Sequence, residues 1–285
     1  MHVGILGPLT VRLNGQSIVP TAGKPRQLLA LLAIRAERVV TVPTLMEEIW
    51  GDAIPKSAAT TLQTYILHLR RKVTAALRAG QPGGGLGQGG CAKEVLATCF
   101  GGYRLALRPD HSDLREFQSL AARGAVALET GDAGAASVLL SQALGLWRGT
   151  ALVDVPVGRV LGVEVLGMEE QHTRVLEQRI EADLLLGRHA SLLAELRVLV
   201  ARHPMNENLA AQLMTALYRS GGTWRALEVF QELRRTLIEE LGVEPSYRLQ
   251  RLHQAVLSGE PELEPAGGAG RDARYDGLRL TRSVG

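Results

Sequence analysis

At 285 residues the chain has room for two ordinary domains, and its 46% hydrophobic residues support real cores. With aromatics at only 4%, those cores must be built from Leu, Val and Ala, which favours helices packed on helices. Two cysteines, Cys91 and Cys99, exclude a disulfide scaffold or a self-sufficient zinc site, and no apolar run approaches the ~20 residues of a membrane span. With no signal-peptide pattern at the N-terminus, a cytoplasmic protein in a reducing compartment is expected. The net charge of +3 hides an asymmetry. Residues 1–109 carry 13 Lys and Arg against 5 Asp and Glu, a net of +8, whereas residues 110–260 carry 15 against 20, a net of −5. Only the first part is suited to a polyanion.

In chain order, residues 2–20 alternate Val3, Ile5, Leu9, Val11 and Leu13 around Asn14-Gly15, a strong hairpin turn, so a three-stranded sheet is predicted. Lys24-Pro25-Arg26 opens a helix with Leu28, Leu31 and Leu32 facing a core. Arg38-Val39-Val40 reads as one more short strand. A helix over Val42–Trp50 places Leu45, Ile49 and Trp50 on one face, with Thr41 and Thr44 as candidate N-caps and Thr44 with Glu47 as a capping box. A second helix, about 58–77, repeats Leu62, Ile66, Leu69 and Val73. Its other side carries a stripe of Ser57, Thr61, Thr64, His68 and Arg71, flanked by Thr60, Gln63, Arg70 and Lys72. No acidic residue occurs from Ser57 to Ala79, which an ordinary solvated face would contain. Hydroxyls and an amide toward the N-terminus suit base edges, and bases toward the C-terminus suit phosphates. This is the composition of a helix–turn–helix recognition helix.

Residues 79–94 form a Gly-rich loop. Its GLGQGG, with Gly85, Gly87 and Gly90, formally matches a dinucleotide fingerprint but follows a helix and lacks a βαβ setting, so a mobile loop is expected. Residues 95–107 read as a hairpin around Phe100-Gly101-Gly102. Two helices followed by a hairpin make a winged helix. The segments VGILGPLTVRLNG, LLALLAIRAERVVTVPTLMEEIWGD, TLQTYILHLRRKV and GGYRLAL resemble the OmpR/PhoB-type winged-helix domain, and more narrowly the Streptomyces antibiotic regulatory proteins. The resemblance covers about residues 2–258. It implies a DNA-binding domain that reads direct repeats near promoters, joined to a bacterial transcriptional activation domain. It also implies RNA polymerase contact through the loop Gly51, Asp52, Ala53, Ile54 and Pro55, and a homodimer on DNA. Where relatives often have Arg-Gly in the wing this chain has Cys99-Phe100, which leaves Lys93 and Arg104 as the basic residues there. The expected DNA-contacting set is Lys56, Ser57, Thr60, Thr61, Gln63, Thr64, His68, Arg70, Arg71 and Lys72, with Lys93, Gly102, Tyr103 and Arg104 in the wing.

Residues 110–258 are helical almost throughout. Asp113 and Glu116 read as a capping box for a helix to about Glu129, and Gly131-Asp132 separates it from one ending at Trp147. A long helix follows over about 159–186, then four more helices. Aligning residues 34 apart matches Leu193 with Leu227, Leu196 with Phe230 and Leu199 with Leu233, the tetratricopeptide period. Residues 259–285 read as a disordered tail. The expected fold is therefore mainly α, a winged helix-turn-helix of α+β type over 1–109 followed by an all-α, tetratricopeptide-like domain over 110–258. Residues 1–109 alone are expected to bind DNA. No hydrolase, metalloprotease or nucleotide-binding motif is present, so no catalytic residue, metal or cofactor is expected. Two functions are consistent with these features: an activator that binds direct repeats in double-stranded promoter DNA and recruits RNA polymerase holoenzyme for a secondary-metabolite cluster, or a helical scaffold whose basic module binds protein or RNA.

Overall fold

The computed structural model describes residues 1–79, 91–106 and 111–260. The expected dinucleotide-like glycines and nearly all of the expected tail lie outside the described residues. The chain divides into two compact units, one of residues 1–126 and 138–176, the other of residues 127–137 and 177 onward.

The first unit begins with an antiparallel sheet in the order β1 (His2–Gly4), β2 (Thr10–Leu13), β3 (Gln16–Ser17). Asn14 and Gly15 both have positive φ, 50° and 78°, the geometry of the two-residue turn their sequence favours. Val3, Ile5, Leu9, Val11 and Leu13 are all buried. Helix α1 (Gly23–Ile34) buries Leu28, Leu29, Leu31 and Leu32. The next strand is β4 (Val40–Thr41), two residues displaced from the expected start, and Arg38 and Val39 lie outside it. Helix α2 (Val42–Trp50) has the expected bounds. Thr41 is its N-cap, accepting from the Thr44 amide at 3.4 Å, while the two hydroxyls bond each other at 2.9 Å. The Thr44–Glu47 capping box is therefore not the one that forms, because Thr44 is already inside the first turn. Leu45 and Ile49 are buried, whereas Trp50 is half-buried, stacked 6.4 Å from Tyr65 with the Lys24 ammonium over its ring.

Helix α3 (Ala58–Ala79) buries Leu62, Ile66, Leu69, Val73 and Ala76. A short helix that the Gly-rich composition concealed, α4 (Ala92–Val95), precedes the hairpin of β5 (Leu96–Cys99) and β6 (Gly102–Leu105). The second sheet has the order β4-β6-β5, so the hairpin is anchored by its second strand. Gly101 turns the hairpin at φ 73°. Gly102 pairs with Thr41, and a Cβ there would run into the Val40 carbonyl, so only glycine fits.

The same unit includes α5 (Asp113–Glu129) up to Val126, α6 (Ala133–Gly145) from Val138, and α7 (Arg159–Leu185) up to Leu176. Helix α6 stops two residues short of Trp147. Two buried carboxylates tie these segments to the winged helix. Asp113 accepts from the amides of Ile5 at 2.8 Å and Leu6 at 3.1 Å, and from the Arg148 guanidinium at 3.1 Å. It thus reaches back to the first sheet rather than forming the expected box with Glu116. Glu48, 2% exposed, accepts from Gln27 Nε2 at 2.6 Å and from the amides of Gly158 and Leu161, both at 2.8 Å. It satisfies the orphan donors at the start of α7. Ion pairs Arg26–Asp154 at 3.1 Å and Arg35–Glu164 at 2.9 Å lie around them.

In the second unit α8 (His189–Arg202), α9 (Glu207–Arg219), α10 (Thr223–Leu241) and α11 (Tyr247–Ser258) pack as successive neighbours. Leu196 and Phe230, 34 residues apart, are both buried, and Leu193 and Leu227 are both half-buried, whereas in the third pair Leu233 is buried and Leu199 half-buried. Asn206 caps α9, and Ser246 caps α11. Asp183 is buried and accepts from Ser137 at 2.7 Å and Arg188 at 2.8 Å.

Among the described residues, each unit has a histidine set against an aromatic ring, tilted in the first and stacked in the second. In the first, His172 lies 4.4 Å from the Trp147 ring; in the second, His253 lies 3.9 Å from Phe230. Burial lowers both imidazoles below 6.5, the Glu169 carboxylate opposing the shift at His172. Below that pH the unfolded chain takes up protons that the folded units resist. Stability is therefore full above the unfolded value of 6.5 and falls as pH drops toward the depressed folded values. Thermal melts from neutral to mildly acid pH are expected to show a falling Tm, with a shallower fall in the His172→Phe, His253→Phe double variant.

Candidate nucleic-acid interface

Helix α3 presents one face inward and one outward. At 3.6 residues per turn the line opposite Leu62, Ile66, Leu69 and Val73 passes through Thr60, Thr64, Leu67 and Arg71. Thr60, Gln63, Thr64, Leu67, His68 and Arg71 are all exposed, as are Lys56 and Ser57 just before the helix. Thr61 and Lys72 are half-buried. The stripe read from the sequence thus sits about 50° to one side of the most exposed line, on the same 3.6-residue geometry. The residue it missed is Leu67, 50% exposed. An outward leucine breaks no polar pattern that sequence alone could test, because apolar periodicity assigns leucine inward by default.

The Thr64 hydroxyl donates to the Thr60 carbonyl at 3.0 Å. Its proton is thereby engaged and its lone pairs are left to accept, which suits an amino group of adenine or cytosine. Gln63 offers both an acceptor and a donor, the pair that matches adenine. Arg70 faces differently from its neighbours. Its Nε and Nη2 donate to the Leu96 carbonyl at 3.0 and 2.7 Å, and Nη2 also donates to Thr98 Oγ1 at 2.8 Å. It fixes β5 against α3.

In the wing, Lys93 is exposed and Arg104 is half-exposed, 3.7 Å from Glu37. Gly102 and Tyr103 are buried in the middle strand, so they shape the hairpin from within. Phe100 at the tip is fully exposed. In the loop before α3, Asp52 pairs with Arg159 at 2.9 Å, Ile54 is 50% exposed, and Ala53 and Pro55 are exposed. Gly51 turns the chain at φ 57°. Among the described residues no helix is long and apolar enough to cross a membrane.

A winged helix-turn-helix whose outward helix is free of acids, followed by paired helices, defines a DNA-binding transcription regulator. Comparison with known proteins places it within that class. Residues 15–81 match the family described as "Transcriptional regulatory protein, C terminal", and residues 112–257 match "Bacterial transcriptional activator domain". The chain is 53% identical over 267 residues to Regulatory protein DnrI of Streptomyces peucetius, covering 94% of this chain and 96% of that one. It is 34% identical over 264 residues to Transcriptional regulator RedD of Streptomyces coelicolor, covering 93% and 72%. The solved structure of Mycobacterium tuberculosis EmbR in complex with a low affinity phosphopeptide superposes with a TM-score of 0.82 at 31% identity, over 91% of this chain and 65% of that one. The chain belongs to the Streptomyces antibiotic regulatory protein family.

Proposed function

We propose that this regulator is an activator that binds direct repeats in promoter DNA as a head-to-tail pair of protomers and recruits RNA polymerase holoenzyme, controlling an antibiotic or other secondary-metabolite gene cluster. DNA recognition is assigned to residues 1–109 and activation to residues 110–258, although the folded unit that presents α3 extends to Leu176. The observation that carries the reading is the outward face of α3: Thr60, Gln63, Thr64, Leu67, His68 and Arg71 are exposed on it, and it is free of acids.

In this reading Thr60, Gln63, Thr64 and His68 enter the major groove, with Ser57 and Thr61 at its edge. Lys56, Arg71 and Lys72 engage phosphates. Arg70 acts by holding the wing, from which Lys93 and Arg104 reach the backbone while Gly102 and Tyr103 keep the hairpin in shape. The loop 51–55 offers Ile54 and Pro55 as an apolar point of contact for the polymerase. The acidic second part, net −5, is unsuited to the phosphate backbone and suited to protein contact.

Phosphate contacts release counterions, so affinity for a promoter duplex is expected to fall steeply with salt, by roughly −0.9 in log–log slope per phosphate neutralised. Gel shifts of the full chain across a salt series check this. Arg71→Ala is expected to flatten the slope by about one unit. Affinity independent of salt would refute phosphate recognition and favour a scaffold that binds protein.

A further inference from the structure

We infer that Leu67 is a specificity-determining residue that reads the C5-methyl group of thymine. The inference rests on the placement of α3 in the major groove proposed above.

Leu67 is the large hydrophobic residue left exposed on α3, at 50%, while Leu62, Ile66, Leu69 and Val73 fill the core. It lies near the centre of the outward face, bounded by Gln63 and Thr64 one turn before and by Arg71 one turn after. Thr64, Leu67, His68 and Arg71 line one shallow depression on that face. Every other exposed side chain from Thr60 to Arg71 is polar. A leucine here lies outside the core that Leu62, Ile66, Leu69 and Val73 fill, and its exposed half gains only from a partner that comes to this face.

In the major groove, hydrogen-bonding groups occupy every base edge, and the apolar exception is the methyl of thymine. Leu67 set against that methyl buries both groups. Set against the same position of cytosine, it meets no methyl and leaves the amino group desolvated and unpaired, which penalises the wrong base. Gln63 and Thr64 select by hydrogen bonds on either side, so an apolar reader between them extends the recognised sequence by a base pair that hydrogen bonding alone does not specify.

The test uses full-length protein and a duplex enriched from a random pool by the wild type. Each thymine is replaced in turn by uracil, which lacks the methyl and keeps every hydrogen-bonding group. For the wild type, one thymine per half-site is expected to be sensitive, losing about fourfold in affinity, the equivalent of one buried methyl. Leu67→Ala is expected to bind the thymine and uracil duplexes equally at that position, with an unchanged melting temperature. Leu67→Gln is a second variant, also expected to lose the methyl discrimination. Identical uracil profiles for wild type and both variants, or a wild type insensitive at every thymine, would overturn the assignment of Leu67 alone. A pool that yields no enriched sequence would overturn major-groove reading by α3, and the inference with it.

Discussion

Replacing Glu48 with alanine is expected to destabilise the first unit by about 3–5 kcal/mol, although Glu48 is buried and not among the residues proposed to contact DNA. Its carboxylate is the acceptor for Gln27 and for the Gly158 and Leu161 amides. Alanine leaves Gln27 Nε2 with the Glu48 carbonyl at 2.7 Å but strips the Gly158 and Leu161 amides of that acceptor, each at about 1–3 kcal/mol, and opens a void between α2 and the start of α7. Against a typical total of 5–15 kcal/mol this is a large fraction, a fall of about 10–15 °C in Tm. Thermal and urea melts of the full chain read it directly; a shift of less than about 1 kcal/mol would show that Glu48 holds nothing together. The same geometry bears on the fragment 1–109. Cutting there removes the Asp113 carboxylate from Ile5 and Leu6, Asp154 from Leu9, and the α7 amides from Glu48. The fragment keeps α3 and loses the groups that brace the elements around it. A chain ending near Leu176 retains them all.

Removing the chain beyond Leu176, with helices α8 to α11, is expected to abolish activation while leaving DNA binding. The helices from α8 to α11 contain the 34-residue repeat, whose stacked pairs are suited to gripping a neighbouring protein. On the direct repeats proposed above, protomers would meet head to tail, each raising the local concentration of the next without a two-fold surface. Residues 1–176 should therefore occupy the promoter more weakly than the full chain, and at saturating occupancy should yield no transcript above the basal level. In vitro transcription with purified polymerase compares the two. Equal transcript from both would make the second unit dispensable for activation.

The elements that present α3 were legible because their signals are local. Thr41 before Val42-Pro43 caps α2, Leu62 to Val73 repeat at helical spacing, and Asn14-Gly15 turns the first hairpin. The face of α3 was legible to within about 50°: hydroxyls and bases marked the outward side, but a stripe chosen for polarity drifted away from Leu67. The braces were hidden for a different reason. Nothing beside Glu48 marks it as buried, and two of its partners lie 110 and 113 residues away in sequence. Asp113 spells a local capping box with Glu116 and instead bonds amides 108 and 107 residues earlier. Arg70 has the side chain of a phosphate ligand, but its guanidinium is held by the Leu96 carbonyl and Thr98 Oγ1 of β5. A residue's type announces local chemistry; partners that the fold brings from a hundred residues away leave no mark beside it.

The most direct measurement is the specificity ratio: affinity for the enriched duplex over a scrambled one, at one salt concentration, for the wild type and a Gln63→Ala, Thr64→Ala double variant. The wild-type ratio is expected to be about 10³ or more. The double variant should lose about 10- to 100-fold on the enriched duplex, keep its affinity for the scrambled one, and melt at the wild-type temperature. An equal loss on both duplexes, or an unchanged ratio, would contradict base reading by this face of α3.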